Sequence, residues 1–142
     1  MSEYPNYRIS VEVVLKHGDK VLVTKRSEES VVAPGVWNVP AGKVKYEETP
    51  LEGLYREAKE ETGLDVKMIR ELNVRTFQGH TAKGDIYRVV FTYLVEAEND
   101  DLSNFAINEE HSACAWVNKQ DLSDEKYTSL SDEVREMIED VL

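Results

Sequence analysis

The stretch REAKEETG, residues 56–63, gathers chemistry into very few positions. Glu57, Glu60 and Glu61 stand at i, i+3 and i+4, so on a helix their side chains fall within a sector of roughly 100°. Like charges at this spacing repel by about 0.2–0.5 kcal/mol per pair, and anions near a helix C-terminus cost about 0.3–1 kcal/mol each. Arg56 and Lys59 offset part of that cost, so an ordinary solvated helix face would tolerate it. The same three carboxylates are also a set of hard oxygen donors, the type that Mg²⁺ takes together with water in its octahedral shell.

The elements that must position these groups can be read from the chain. Thr49 is an N-cap, Pro50 suits the first helical position, and Glu52 completes a T-x-x-E capping box. Gly63 suits the position that closes the helix. Between these ends Leu51, Leu54, Tyr55 and Ala58 form the expected apolar face, with the carboxylates presented on another side. Upstream, YRISVEVVLKHGDKVLVTKR reads as two strands joined at Gly18-Asp19. SEESVVAPGVWNVPAGK is broken by Pro34, Gly35, Pro40 and Gly42 and reads as loop, with a short extended piece at Trp37 to Val39. Strands are expected near Val66 to Phe77 and Ile86 to Ala97, and in ACAWV, with ENDDLSNFAINEE as a polar loop between the last two. From Ser131, Val134, Met137, Ile138, Val141 and Leu142 recur at helical spacing.

The chain has 142 residues, 41% of them apolar and 32% charged, which predicts a single globular domain over 1–142. No apolar run reaches the length of a membrane span, and the first residues lack the basic head and apolar core of a secretory signal. Cys114 is the only cysteine, so no disulfide framework exists, and a cytoplasmic protein is expected. A net charge of −11 argues against general nucleic-acid binding. It leaves room for a small phosphorylated substrate, because a cation bound among carboxylates reverses the local potential.

The wider spacing decides between the two readings of the acidic stretch. Gly42, Glu48, Arg56, Glu57, Glu60, Glu61 and Gly63 occupy every fixed position of G-x5-E-x7-R-E-U-x-E-E-x-G-U, and Ala58 and Leu64 take the aliphatic positions. This resembles the Nudix hydrolase box. The resemblance extends less specifically through VLVTKR, VWNVPAGKV and EEHSACAWVNKQDL. Two residues depart from the usual pattern: Lys45 stands where the family usually has Glu, and Glu47 replaces a glycine, so Glu47 must avoid or tolerate a positive φ.

The resemblance implies an α+β fold, a Nudix-type α/β/α sandwich with a mixed central sheet and a loop-helix-loop motif. It implies hydrolysis of a pyrophosphate bond in a nucleoside derivative, with Mg²⁺ or Mn²⁺ as cofactor. Glu57, Glu60 and Glu61 would be metal ligands, with Glu48 a further direct or water-mediated one. Arg56 would hold a carboxylate through a planar fork. The general base would be Glu60, or Glu109 or Glu110 from the later loop. Trp37, Lys43 and Phe77 are candidates for contacting substrate. A small nucleoside triphosphate pyrophosphatase is the favoured activity, because Val31 takes the arginine position of a coenzyme A motif and Gly79 the proline position of ADP-ribose enzymes. An ADP-ribose or nucleotide-sugar pyrophosphatase and a non-catalytic nucleotide sensor remain open, and a homodimer fits the family. The loop ENDDLSNFAINEE lacks the spacing and central glycine of an EF-hand, which removes a calcium-binding reading.

Overall fold

The computed structural model describes residues 6–82 and 84–142; the segment 1–5 of the expected domain lies outside them. Strand β1 (Tyr7–His17) turns at Gly18, φ 62°, into β2 (Lys20–Arg26). Two short strands follow, β3 (Trp37–Asn38) and β4 (Ala41–Lys43), then helix α1 (Pro50–Thr62). Strands β5 (Val66–Thr81) and β6 (Gly84–Ala97) form a long antiparallel pair. Strand β7 (His111–Val117), two short 3₁₀ turns and helix α2 (Asp132–Val141) complete the chain.

The seven strands form one mixed sheet with the order β3-β2-β1-β6-β5. β1 lies parallel to β6, from Tyr7 opposite Tyr87 to Leu15 opposite Val95, and its first half also pairs antiparallel with β4. β7 adds to β2. Because successive strand residues point to opposite faces, β1 serves two cores. Val11, Val13 and Leu15 pack with Leu54 and Ala58 of α1, while Val14 packs with Val134, Met137 and Ile138 of α2. The helices thus cover opposite faces of the sheet, the expected sandwich. β4 is the main element the sequence reading missed: Pro40 and Gly42 suggest loop, yet Gly42 sits opposite Val11 in register.

Helix α1 ends as expected. Thr49 and Glu52 form the reciprocal capping box, and Gly63 adopts φ 74° with its N–H donating to the Lys59 carbonyl. The buried face, however, is rotated from the one expected. Leu54 and Ala58 are buried, but Leu51 is 37% and Tyr55 40% exposed. Glu57, Glu61 and Thr62 take their place on the packed side. The carboxylates therefore do not share one open face: Glu57 and Glu61 point inward and Glu60 stays half-exposed.

Candidate active site

Gly42 creates the room for Glu57. A Cβ there would stand 2.0 Å from the Glu57 carboxyl carbon, so only glycine lets that side chain lie across β4. Glu47, at the turn before α1, has φ 66° and thus tolerates the left-handed conformation usually left to glycine.

Arg56 is the hub of the site. Its Nε donates to Glu48 Oε2 at 2.7 Å and its Nη2 to Glu48 Oε1 at 2.8 Å, the fork expected of a guanidinium–carboxylate pair. Nη2 also donates to the Lys43 carbonyl at 2.9 Å, and Nη1 to Glu57 at 2.8 Å and Glu60 at 3.2 Å. An arginine has five N–H donors, and all are used here. The fork holds the Glu48 carboxyl down at about 2, helped by the Lys45 N–H. Glu48 thereby ties the loop entering α1 to the helix.

One positive charge on Arg56 against Glu48, Glu57 and Glu60 leaves an excess of two negative charges. Glu61 adds a further carboxyl next to Glu57. It is 1% exposed, and its Oε2 has no hydrogen-bond partner. Burial first, then the charges of Glu57 and Glu110, push its carboxyl up to about 9. Burial likewise raises Glu57, against the pull of Arg56.

A hard divalent cation fits this donor set in chemistry and charge. Among the described residues no three carboxylate, imidazole or thiol groups are already poised around one point. Mg²⁺ usually keeps several waters and takes one or two carboxylates directly, so three glutamates here would divide direct and water-mediated contact between them. His111, at the start of β7, was missed in the sequence reading. It is buried with Nε2 3.9 Å from Glu61 Oε1, burial lowers its pKa, and its Nδ1 has no partner. The signal available was a histidine directly after Glu109-Glu110, at the start of a strand.

Glu57 and Glu60 open onto a cavity of about 1040 Å³ whose wall also includes Arg56, Lys43, Lys45, Glu110, Phe77 and Arg88. The structure separates the two loop candidates. Glu110 faces this cavity and interacts with Glu57 and Glu61, whereas Glu110 and Glu109 together line an outer groove with Arg26 and Val31, and Glu109 does not reach the main cavity. Lys43 is exposed at the cavity wall, and Phe77 projects from β5 half-exposed. Trp37 touches the cavity but is mostly buried, with its ring edge-on to Tyr127 at 5.0 Å.

The mixed sheet and the glutamate-bearing helix at a cleft define an acidic site suited to phosphate chemistry through a cation. A family model described as NUDIX domain matches residues 6–141, and the chain belongs to that family. It is 32% identical over 114 residues to Nudix hydrolase 6 of Arabidopsis thaliana, covering 79% of this chain and 39% of that protein. It is 26% identical over 118 residues to the nucleoside triphosphatase NudI of Enterobacter sp. (strain 638), covering 78% of this chain and 81% of that one. Among solved structures, the MutT protein from Methanosarcina mazei Go1 superposes with a TM-score of 0.72 at 26% identity, over 98% of this chain and 95% of that one. The chain spans less than half the length of curated relatives such as the Arabidopsis protein.

Proposed function

We propose that the chain hydrolyses a pyrophosphate bond in a nucleoside triphosphate, with Mg²⁺ or Mn²⁺ as cofactor. The observation that carries this is the surplus of negative charge around Arg56, with an unpartnered buried oxygen on Glu61, beside a cavity that also holds basic and aromatic groups. Glu57, Glu60 and Glu61 would hold the cation. Glu48 would act on it only at one remove, since Arg56 and the Lys45 N–H engage its two oxygens. When bound, the ion supplies charge neutralisation at phosphate oxygens and a more acidic water.

The residues of the chain do the rest. Arg56 fixes Glu57 and Glu60 relative to each other and to β4. Lys43 and Lys45 line the cavity and favour an anionic substrate. In the reaction, a water oxygen bonds to phosphorus, the bridging P–O bond breaks with its electron pair leaving on the departing phosphate, and the water proton passes to a carboxylate. Glu110 and Glu60 both face the cavity and are the two candidates for that proton; Glu109 is the weaker one. The name of the Enterobacter relative, a nucleoside triphosphatase, supports this substrate class.

The size of the cavity, about 1040 Å³, favours a second reading, a nucleoside diphosphate joined to a sugar. Both readings take a small nucleotide, and both suit a cytoplasmic protein, with a homodimer as the family-like assembly. Among the described residues no helix is long and apolar enough to cross a membrane. A panel of nucleoside triphosphates, ADP-ribose and nucleotide sugars, each with Mg²⁺ and with EDTA, tests the proposal through release of phosphate or pyrophosphate. Metal-dependent turnover of triphosphates is expected. Binding of nucleotides without turnover of any would mean a sensor.

A further inference from the structure

The floor of the cavity is a patch of sheet whose pattern changes midway. On the face carrying Val14 and Leu94, the apolar residues of α2 cover the sheet. Two and four residues earlier on β1, the same face carries Glu12 and Ser10; on β6 it carries Thr92, Val90 and Arg88. Arg75 and Phe77 of β5 lie opposite Val90 and Arg88 in register. Ser10, Glu12, Arg75, Phe77, Arg88 and Val90 all line the cavity. The sheet thus turns polar where the helix stops covering it.

Within this patch the charges are not equally satisfied. Glu12 is 5% exposed and receives both Arg75 Nη atoms at 2.9 Å, with Thr92 Oγ1 donating at 2.8 Å. That pair is closed. Of the four arginines lining the cavity, Arg56 and Arg75 are paired with glutamates, and Arg26 is bonded to Ser30 and the Val32 carbonyl of its own loop. Arg88 has one bond, Nη1 to Ser10 Oγ at 3.0 Å, and no carboxylate partner among the described residues. In a chain of net charge −11, a half-buried arginine that faces the cavity and is bonded to none of its acids calls for an acceptor from outside. Its cross-strand neighbour Phe77 is 50% exposed, an aromatic face offered beside the guanidinium.

The distance suits the far end of a nucleotide. From Gly42 on β4, where Glu57 lies, the path to Phe77 crosses β1 and β6 to β5, three strand steps or about 14 Å, and runs three residues or about 10 Å along the strands, roughly 17 Å in all. A phosphate chain at the carboxylates therefore points its base toward Phe77 and Arg88.

We propose that Phe77 and Arg88 read the base, and that they select 6-oxopurine nucleotides. Phe77 stacks the ring. The free donors of Arg88 meet two adjacent acceptors, the O6 and N7 of guanine or hypoxanthine. Adenine presents an amino group beside N7, which a guanidinium repels, and pyrimidines have no imidazole nitrogen beside a carbonyl oxygen to form that edge. Ser10 aims the fork, and the Glu12–Arg75–Thr92 cluster keeps the floor rigid beneath it.

This rests on the nucleotide reading of the cavity, and a binding assay separates the failure of one from that of the other. Calorimetric titration with analogues of GTP, ITP, ATP and CTP in which methylene groups replace both the α,β and β,γ bridging oxygens, in the presence of Mg²⁺, reads base preference without turnover. The intact chain is expected to bind the GTP and ITP analogues at least about tenfold more tightly than the ATP and CTP analogues. Arg88→Met is expected to remove that preference. Arg88→Lys, which keeps the charge and loses the fork, is expected to lose the preference while retaining more affinity than Arg88→Met. Circular dichroism melts confirm that each variant folds. Equal affinity for all four analogues in the intact chain overturns the proposal, as does an equal loss for every base in Arg88→Met, the pattern of a phosphate contact. Clear base preference with no hydrolysis in the panel assay would leave this inference standing and remove the catalytic one.

Discussion

At the scale of single residues, the site depends on charges that do not cancel. Glu60→Gln and Glu61→Gln should each lower turnover by at least about 10²-fold, the low end of what positioned acid–base groups supply; steady-state rates on the best panel substrate check this. Glu61 also sets a proton linkage. Its folded carboxyl sits at about 9 against an ordinary 4.5, so between those values the folded chain keeps a proton that the unfolded chain has lost. Its contribution to stability is therefore fully present below about pH 4.5 and falls as pH rises toward 9, by up to about 1.4 kcal/mol per pH unit. A divalent cation should reverse that loss and release a proton on binding at pH 7. Melting curves across this range with and without Mg²⁺, and calorimetry in buffers of different ionisation enthalpy, measure the two effects. At this scale the sequence singled out candidate residues but not their partners. The box spacing marks Arg56 and the glutamates, whereas the use of all five arginine donors, and the approach of His111 to Glu61, exist only once β4 and β7 are in place.

At the scale of elements, helix α1 was legible at its ends and misread on its sides. Capping chemistry is local, so Thr49, Glu52 and Gly63 predict the boundaries from neighbours in sequence. Facing is not local. Leu51 and Tyr55 are apolar but exposed, and Glu57 and Glu61 are acidic but inward: Gly42 on another strand leaves space for Glu57 and Arg56 supplies its counter-charge, while burial favours the protonated form of Glu61. β4 was hidden for the same reason: three residues beside a proline carry no periodicity, and only pairing with β1 makes them a strand. Gly42→Ala tests this dependence. Gly42 needs no unusual backbone, so the fold should persist, while the new methyl would displace the Glu57 carboxylate. A fall of about 10²-fold in kcat with a nearly unchanged melting temperature is expected from such a misplacement. A variant of normal rate would show that the position of Glu57 does not matter.

At the scale of the whole molecule, two helices on opposite faces leave one part of the sheet uncovered, and the acidic end of α1 overlooks that opening. The bulk charge of −11 would repel nucleotides. Under the proposed function, binding would depend on a cation that offsets the carboxylates and on the few basic groups of the cavity wall. Strands and an amphipathic C-terminal helix were readable from the periodicity, while their arrangement as a sandwich came from the resemblance. The open floor was not, because Ser10, Glu12, Arg75 and Arg88 are distant in sequence and become one surface only through the register of β1, β6 and β5. The most direct measurement is a Mn²⁺ titration followed by the electron paramagnetic resonance signal of the free ion, on the intact chain and on Glu57→Gln and Glu61→Gln. Saturable binding by the intact chain, weakened at least about tenfold in each folded variant, is the expected result. No binding by the intact chain, or equal binding by all three, would contradict a cation site built on these glutamates.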